Sequence, residues 1–368
     1  RSLRDVVDGL TANPELRAVL CYIFPTYGTL PSKTSFSMHS LLVNHFLQGA
    51  WYPKGGSGEI AFHTINVIRK TGGNVLGRAP VQKILLDAQG RACGVSVKKG
   101  QDLVNIYAPV IISDAGLRTP ENTDFPLHLA GIQSQLRLAT HGEGGFTVFV
   151  GLNGSREELG LEATNYYLYL GNDLDEIMNR YLSSSREEAA KLLPFMFVTC
   201  PSAKDPTWDT RHPGKSTISV LTFAKYEWFE EWKDEQVNKR GDDYEDLKKA
   251  FVDVIMQAVF RLYPRIEDRV RKPGVHGTSS SSPGPHLPSP VPSPLPPHQV
   301  WCKGVPMVLQ DHPGTKLGQS HQAKDMSVAG FMGAMHGAFM CASAVLKRNI
   351  YVDLLWLKRR TEATKSTK

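Results

Sequence analysis

The spacing of apolar residues predicts two helices near the start of the chain. In residues 34–49, apolar side chains recur at helical spacing, and Gly49 follows as a stop signal. A second helix is predicted after Ser57, a favourable N-cap, with Glu59 in its first turn and Gly72 placed for the C-terminal cap. The predicted buried face of the first helix comprises Met38, Leu41, Leu42, His45 and Phe46. That of the second comprises Ile60, Thr64, Val67 and Ile68.

Strand patterns follow the second helix. The segments APVQKILLD, ACGVSVKK and DLVNIYAPVIISDAG alternate apolar and polar residues, with Cys93, Val95 and Val97 facing inward in the second segment and Val104 and Ile106 alternating in the third. This alternation predicts an antiparallel meander with one covered face. The third segment ends in a continuous apolar run, residues 110–112, which predicts a strand buried on both faces.

Residues 145–222 predict a second sheet. In GFTVFVGL the apolar side chains alternate, and NYYLYL, PFMFVTC and STISVLT are further strand candidates. The inward residues of the first of these strands are Phe146, Val148, Val150 and Leu152. A long amphipathic helix follows, with a predicted stripe of Tyr244, Leu247, Phe251, Val254, Ala258 and Leu262. The pattern indicates a separate domain in which helices pack on an antiparallel sheet.

Composition narrows the functional classes. The chain has 368 residues, 41% of them hydrophobic, which is enough for a sizeable core. A net charge of +6 is too weak to indicate nucleic-acid binding. The five cysteines are scattered without a CxxC pair, so neither a disulfide framework nor a zinc site is predicted. The opening RSLRDVVDGL has the character of mid-helix sequence, so we expect the sequence to be incomplete at its N-terminus.

The composition changes after Lys272. Residues 273–298 are rich in Pro and Ser and predict a polyproline-like or disordered segment that cannot bury a core. The spacing in PSPVPSPLPP, residues 288–297, suits docking on SH3 or WW domains, although a segment that binds nothing is the favoured interpretation. Helical order is predicted again from Gly330, in an apolar, small-residue helix with a basic aromatic tail.

Two groups of glycines are the candidate binding features. Gly55 and Gly56 directly precede a helix, where backbone without Cβ atoms allows a flat or anionic ligand to approach. Taken alone, a plain strand–turn–helix is the simpler interpretation. Gly330, Gly333 and Gly337 lie on one helical face, which indicates close packing against a sheet or a cofactor. A membrane helix with a GxxxG face is the alternative, ranked below a buried helix.

Several longer segments together resemble a known family, the retinol saturases (all-trans-retinol 13,14-reductases), a branch of the phytoene desaturase-like flavoproteins. The similarity covers about residues 1–115, 140–271 and 330–352. The segments that carry it are CYIFPTYG, FSMHSLLVNHF, YPKGGSGEIAFHTI, GVSVKKGQDLVNIYAP, PSAKDPTW, AKYEWFEEW and CASAVLKRNIY.

The resemblance implies an α/β (α+β) chain with a two-dinucleotide-binding-domain flavoprotein fold, here incomplete, and an inserted antiparallel-sheet substrate domain. It implies FAD as cofactor, with the YPKGG turn beside the flavin ring, Val81 beside the adenine and the late glycine helix at the pyrimidine end. The implied cofactor-binding residues are Tyr52, Pro53, Gly55, Gly56, Val81, Gly330, Gly333 and Ala334.

The resemblance also implies saturation of the 13–14 double bond of all-trans-retinol or of a similar polyene lipid. NAD or NADP is a possible electron donor, and the sequence does not choose between them. The family is expected at the endoplasmic reticulum membrane, and attachment of this chain is expected to be peripheral, through the apolar and basic tail. No catalytic residue and no metal site are assigned, and no nucleic-acid partner is expected.

The domain boundaries that follow divide the chain into six segments. They are residues 1–50 (helical part of the substrate domain), 51–118 (part of the FAD-binding domain), 119–271 (substrate domain), 272–329 (divergent and Pro/Ser-rich), 330–349 (returning helix of the FAD-binding domain) and 350–368 (basic tail). The chain lacks the family's G-x-G-x-x-G loop, and residues 272–329 do not resemble the family. We therefore expect this chain by itself neither to hold FAD tightly nor to reduce retinol. The alternative is a non-catalytic variant that binds retinoids or lipids, or acts through its Pro-rich segment.

Two further groups are weighed between structural and functional roles. His39, His45 and His63 lie in helices near the implied flavin, and a satisfied structural role is favoured over substrate contact for each. His45 in particular is predicted to be a core residue. The run YEWFEEW, residues 226–232, is interpreted as the start of an amphipathic helix, in preference to a wall of a retinoid site.

Overall fold

The computed structural model describes residues 1–113, 144–232, 235, 240–270, 307–309 and 331–366. The chain divides into two compact units, and each is described separately. The first comprises Arg1–Val75 and Gly142–Pro297, and the second comprises Leu76–His141 and His298–Lys368. The Pro-rich segment and Gly330, for which predictions are made above, lie outside the described residues.

The described residues combine helices with antiparallel sheets, in agreement with the coarse fold prediction. The strands are β1 (Val81–Leu86), β2 (Ala92–Lys99), β3 (Asp102–Tyr107), β4 (Ile111–Ser113), β5 (Gly144–Asn153), β6 (Tyr166–Tyr169), β7 (Phe195–Thr199), β8 (Lys215–Ala224) and β9 (Met307–Leu309). The helices are α1 (Leu3–Leu10), α2 (Pro14–Cys21), α3 (Phe36–Leu47), α4 (Gly58–Lys70), α5 (Arg156–Leu159), α6 (Leu174–Ser183), α7 (Arg186–Ala189), α8 (Pro201–Lys204), α9 (Trp208–Arg211), α10 (Gly241–Leu262), α11 (Phe331–Leu346) and α12 (Ile350–Ser366).

A four-stranded antiparallel sheet forms the centre of the first unit. Its strand order is β5-β8-β7-β6, and β5 pairs with β8 over ten residues, from Gly144 opposite Ala224 to Asn153 opposite Lys215. The alternation predicted for β5 is confirmed, because its inward residues are almost fully buried. They are Phe146, Val148, Val150 and Leu152. The strands predicted in residues 145–222 are therefore all present.

The long helix α10 covers this face of the sheet. The Phe251 ring stacks on the Phe146 ring with 4.9 Å between centroids. The predicted stripe is confirmed at its N-terminal half, where Tyr244, Leu247 and Phe251 are buried. Towards the C-terminus the deepest residues are instead Ile255 and Val259, whereas the predicted residues 254, 258 and 262 are only half-buried. The buried stripe is therefore rotated slightly from the predicted one in the C-terminal half of the helix.

The aromatic run at residues 226–232 completes this core. It forms two short 3₁₀ turns, Tyr226–Trp228 and Glu230–Trp232, and not the start of an α-helix as predicted. Trp228, Phe229 and Trp232 are buried, and Phe229 packs 6.4 Å from Phe251 between ring centroids. Their rings are core residues, which leaves them unavailable as a wall for a ligand.

The N-terminal helices are joined to the sheet region by polar contacts. Arg4 of α1 lies 3.3 Å from carboxylate oxygens of both Asp173 and Asp175, which flank the start of α6. Ser32 donates from its backbone N–H and its hydroxyl to Asp175, at 3.1 and 2.5 Å. The fully buried Phe24 stacks on Phe223 of β8 at 6.4 Å. Residues 1–35 are thus part of the same unit as the sheet.

The sequence predicted the wrong face of α3 to be buried. Leu42 is buried as expected, but Leu41 is 62% exposed and His45 is exposed, so His45 is not a core residue. The buried histidine is His39, one turn before Leu42. Its Nδ1 lies 3.0 Å from the Tyr27 hydroxyl, and this hydrogen bond is the reason that an imidazole can be buried there.

Two predictions for α4 are corrected as well. Ser57 occupies the N-cap position, but it has helical backbone angles and makes no capping hydrogen bond through its side chain. No residue of α4 is buried among the described residues: Ile60, Thr64 and Val67 of the predicted stripe are exposed, and Ile68 is half-buried. The C-terminal prediction is confirmed: Gly72 has φ +85°, and the N–H of Gly73 bonds back to the Ile68 carbonyl at 3.0 Å.

The second unit contains the predicted meander. Strands β1, β2 and β3 pair antiparallel in that order, and Val97 is buried while Cys93 and Val95 are half-buried. All six residues of β3 are exposed, including Val104 and Ile106, so the covered face predicted for this strand is wrong. β4 pairs antiparallel with β9, yet Ile112 is 51% exposed, so the prediction of a strand buried on both faces is wrong. β4 has one paired neighbour in the described part of the chain, and its outer face is left uncovered.

The C-terminal region forms two helices where one helix with a tail was predicted. α11 ends at Leu346, and Lys347 adopts a left-handed conformation with φ +54°. The N–H of Arg348 bonds to the Ser343 carbonyl at 3.1 Å, which closes the helix in the same way as at Gly73. Asn349 then accepts a hydrogen bond from the N–H of Tyr351 at 3.1 Å and starts α12.

We predict that Phe251→Ala destabilises the protein by about 3–5 kcal/mol, because it leaves a cavity where α10 meets the sheet. The control is Phe149→Ala in β5, where the ring is 49% exposed and the expected loss is about 1 kcal/mol or less. The measurement is the free energy of unfolding in urea. Equal losses for the two variants would contradict this account of the core.

Candidate functional site

The glycine turn is defined here as residues Pro53–Gly56. The N–H of Gly56 bonds to the Pro53 carbonyl at 2.9 Å, which closes a reverse turn just before α4. Gly55 has φ +92° and Gly56 has φ +94°. A positive φ at the third residue of such a turn is typical of type II geometry and favours glycine. Both glycines are therefore required by the backbone, whatever approaches it.

The two glycines differ in what surrounds them. A Cβ on Gly55 would lie 2.7 Å from Cγ of Glu59, a side chain that belongs to the first turn of α4. A Cβ on Gly56 would meet no atom within 4 Å among the described residues. Gly56 therefore presents bare backbone to open space. A flat ring can approach this backbone more closely than it could approach any residue with a side chain.

A buried carboxylate holds the glycine turn from behind. Asp205 has a side chain only 1% exposed, and its Oδ1 accepts a hydrogen bond from the N–H of Gly55 at 3.1 Å. The same oxygen accepts from the backbone N–H and the hydroxyl of Thr207, at 2.9 and 2.8 Å. The other oxygen, Oδ2, accepts from Nη2 of Arg211 at 2.5 Å. All hydrogen-bonding capacity at this carboxylate is directed at these three residues.

These contacts set the charge state of the site. Burial alone would raise the pKa of Asp205, but the hydrogen bonds from Thr207, Gly55 and Arg211 lower the pKa to about 2. Burial raises the pKa of Tyr52, and the charge of Asp205 raises it further, against an opposing effect of Arg211. At neutral pH the site thus contains an ionised carboxylate paired with a guanidinium, beside a neutral phenol that can donate a hydrogen bond.

The second face of the four-stranded sheet is aromatic and only partly covered. Tyr22 makes an edge-to-face contact with Tyr167 of β6 at 5.2 Å, and Tyr167 contacts Phe197 of β7 at 5.0 Å. Phe149 of β5 shares this face at the opposite edge of the sheet and is 49% exposed. The hydroxyls of Tyr167 and Thr26 lie 3.1 Å apart. This face, here called the open aromatic face, can accept a flat apolar ligand.

The three candidate histidines have different surroundings. His39 is buried against Tyr27, and burial lowers its pKa, so the imidazole is neutral at neutral pH. His45 and His63 are exposed, and His63 Nε2 lies 3.4 Å from Glu59 on the neighbouring turn of α4. The structural role favoured for His39 is confirmed by its hydrogen bond.

The residues predicted to bind cofactor fall into both units. Tyr52, Pro53, Gly55 and Gly56 lie together in the first unit. Val81 opens β1 in the second unit and is half exposed. Gly333 and Ala334 lie in the first turn of α11, also in the second unit, whereas Gly330 is outside the described residues. Their assignment to a cofactor stays a prediction.

Sequence reasoning did not identify Asp205, Thr207 and Arg211 as part of the site. The signal was nevertheless present, because PSAKDPTW is one of the segments that carried the family resemblance. What the sequence did not reveal is that this segment contacts the glycine turn, since 150 positions separate Gly55 from Asp205.

The chain is similar to known proteins of one family. No family model matches the chain. It is 46% identical over 371 residues to a protein of Danio rerio named "All-trans-retinol 13,14-reductase", an alignment that covers 98% of the chain and 60% of the relative. The Homo sapiens protein of the same name is 45% identical over 378 residues, with 99% and 60% covered. A second Danio rerio protein, named "Inactive all-trans-retinol 13,14-reductase", is 35% identical over 380 residues, with 100% and 60% covered.

These alignments differ in extent from the resemblance found by motifs. They cover 98–100% of the chain and therefore also run through residues 272–329, which the motif comparison had set apart. The chain spans about 60% of the length of these relatives. In the part of the chain that the structure describes, no helix is both long and apolar enough to cross a membrane. By its sequence, the chain is a homologue of the all-trans-retinol 13,14-reductases over nearly all of its own residues.

Proposed function

We propose that this chain is part of a flavin-dependent oxidoreductase that saturates the 13–14 double bond of all-trans-retinol. The observation that carries the proposal is identity of about 45% with named retinol 13,14-reductases along nearly the whole chain. The exposed backbone at Gly56, where no described atom fills the position of a Cβ, supports it independently.

The proposed cofactor is FAD, with NADH or NADPH as the source of electrons. When bound, a flavin supplies the hydride chemistry that no side chain of this chain can provide. The geometry of the glycine turn fits such a group, because a flat ring can lie against Gly56 without meeting a side chain. Tyr52 and Pro53 border the same backbone. The resemblance further assigns Val81 to the adenine, and Gly330, Gly333 and Ala334 to the pyrimidine end.

The chain's own residues would act by positioning and by excluding water. The neutral Tyr52 phenol can donate a hydrogen bond to a ligand oxygen beside the turn. The positive φ angles of the turn hold its backbone in the shape that leaves Gly56 open. An apolar surface beside such a turn lowers the local dielectric and strengthens every polar contact made there.

We propose the open aromatic face as the surface that accepts the polyene. A conjugated chain is flat and apolar, and it packs well on the rings of Tyr22, Tyr167 and Phe197. The Tyr167 and Thr26 hydroxyls, 3.1 Å apart, are the polar groups on this side that suit an alcohol at one end of the ligand.

A membrane-surface location at the endoplasmic reticulum belongs to the same proposal, because a retinol substrate partitions into lipid. Support comes from α12, where Trp356 is 65% exposed and Leu357 is also exposed, directly before the basic residues 358–360. Apolar side chains beside basic ones suit an interface that carries anionic lipids.

The direct test of the proposal is a reduction assay. We expect the purified full-length protein that contains this chain, supplied with FAD, NADPH or NADH and all-trans-retinol without oxygen, to form 13,14-dihydroretinol. The product is identified by chromatography and mass, which rises by two hydrogens. Phe149→Ala should raise the KM for retinol while leaving flavin binding unchanged. A protein that binds flavin but forms no dihydroretinol would contradict the proposed reaction. It would still be a flavoprotein.

Gly56→Val, made in the full-length protein that contains this chain, tests the glycine turn. We expect it to weaken FAD binding by about tenfold or more, because a branched side chain would occupy the open side of the turn. The control is Gly72→Val at the end of α4, which has a similar φ of +85° and equally open surroundings. Both variants strain the backbone, so similar losses of thermal stability are expected. If both lose FAD equally, or neither does, the turn is not a flavin contact.

Sedimentation with vesicles tests the membrane proposal. The protein should bind vesicles that contain anionic lipid and be released by high salt, because the attraction between exposed charges is screened. Replacing Trp356 and Leu357 by Ser should reduce binding severalfold, whereas Leu170→Ser, an exposed leucine elsewhere, should not. Retention after a high-salt or alkaline wash would contradict peripheral attachment.

A further inference from the structure

The hydrogen bond between Asp205 and Gly55 joins two distant parts of the chain. Gly55 donates its N–H to Oδ1 of Asp205 at 3.1 Å. The internal hydrogen bond of the glycine turn uses a different donor, the N–H of Gly56. The turn therefore defines its own shape locally, but the bond to Asp205 ties it to the sheet of the first unit.

Asp205 is itself firmly held. It follows α8, in which the Ser202 hydroxyl accepts from the N–H of Thr217 at 3.0 Å and donates to the carbonyl of Thr217 at 3.2 Å. Thr217 belongs to β8, a central strand of the four-stranded sheet. Hydrogen bonds thus join β8 to α8, the main chain leads from α8 directly to Asp205, and a hydrogen bond joins Asp205 to the glycine turn.

The ionised form of Asp205 suits this role. Two backbone N–H groups, a hydroxyl and a guanidinium all donate to it, and a carboxylate accepts four such bonds without conflict. The side chain is buried, so water competes little for these donors. Arg211 balances the charge and is itself braced by a hydrogen bond from its Nε to the Thr207 hydroxyl at 3.2 Å.

We propose that Asp205 is the positioning residue of the glycine turn, fixing Gly55 so that the bare backbone of Gly56 is presented to the ligand. The inference rests on the proposed function for the nature of that ligand, a flavin. Asp205 does not touch the ligand or the reacting atoms. It acts on binding through the backbone of Gly55, and its loss loosens the turn before it affects the core of the sheet.

The test compares three variants of the purified full-length protein that contains this chain. Asp205→Ala removes all four acceptor contacts, and Asp205→Asn keeps one oxygen for Gly55 and Thr207 while presenting an amide to Arg211. The control is Asp173→Asn, a carboxylate that likewise accepts from an arginine, Arg4, and from a backbone N–H, that of Glu176. This control lies far from the turn in sequence and makes no bond to it.

The first measurement is amide hydrogen exchange without cofactor. We expect the Gly55 N–H to exchange at least about tenfold faster in Asp205→Ala, because it loses an acceptor that carries charge. Asp205→Asn should give an intermediate rate, and Asp173→Asn should leave it unchanged. The N–H of Gly72, bonded to the Arg69 carbonyl at 3.1 Å, is the internal reference and should not change in any variant.

The second measurement is the Kd for FAD, from flavin fluorescence. We expect Asp205→Ala to raise the Kd by about tenfold, with a smaller rise for Asp205→Asn. If Asp205→Ala lowers thermal stability but leaves Gly55 exchange and the Kd as in the wild type, the residue is only structural and the proposal fails. If the wild type binds no FAD, the proposed flavin function fails, and the exchange rates alone decide the positioning role.

The pH dependence provides a further check with a defined sign. Because the pKa of Asp205 is about 2 in the folded protein, below its usual range, its stabilisation is present above about pH 4 and is lost as the pH falls towards 2. The charged and titratable groups that face it are Arg211 and Tyr52, and burial raises the pKa of the Tyr52 phenol. The difference in urea midpoint between wild type and Asp205→Asn should therefore shrink over this range. A constant difference would contradict an ionised Asp205.

Discussion

The contact between the Phe146 and Phe251 rings, 4.9 Å apart, joins the four-stranded sheet to α10, and the first unit is organised around it. One face of the sheet is closed by this helix and by the aromatic turns that precede it. The second face also contributes to the core, because Phe24 stacks there on Phe223. Phe149 of β5 lies on this same face but is half exposed, and a ligand surface is proposed there.

The glycine turn depends on this sheet although it lies outside it. Its shape is local, since glycines with positive φ close it, but its position comes from Asp205 and, behind Asp205, from β8. A mobile turn would have to be ordered when a ligand binds, and ordering costs affinity. A turn held in advance by a buried carboxylate avoids most of this cost, so the rigidity of the sheet contributes to binding at a distance.

The pattern of apolar residues predicted the structure most accurately where the burial of a strand or helix depends on one face and one packing partner. The alternation in β5, the meander of β1 to β3 and the glycine that ends α4 are of this kind. The same pattern wrongly predicted a buried stripe on α4 and a buried side chain at Ile112. Helical periodicity identifies an apolar face but not a neighbour that covers it. In α3 the pattern located a helix but misjudged its rotation, because the hydrogen bond available at Tyr27 draws His39 inward in place of His45.

The sequence by itself determined the antiparallel strands, the position of the glycine turn, the glycine that ends α4, and the kinship to the retinol 13,14-reductases. These features depend on steric limits of single residues, on periodicity over short windows and on long shared segments. Only the tertiary structure decided that Asp205 holds Gly55, that residues 226–232 are core and that Lys347 separates two helices at the C-terminus. The first two are contacts across the folded chain, and no local pattern encodes which distant group will satisfy a given N–H or bury a given ring. The break at Lys347 requires a left-handed backbone conformation, which glycine adopts readily and lysine disfavours. The sequence therefore gives no local signal for this break.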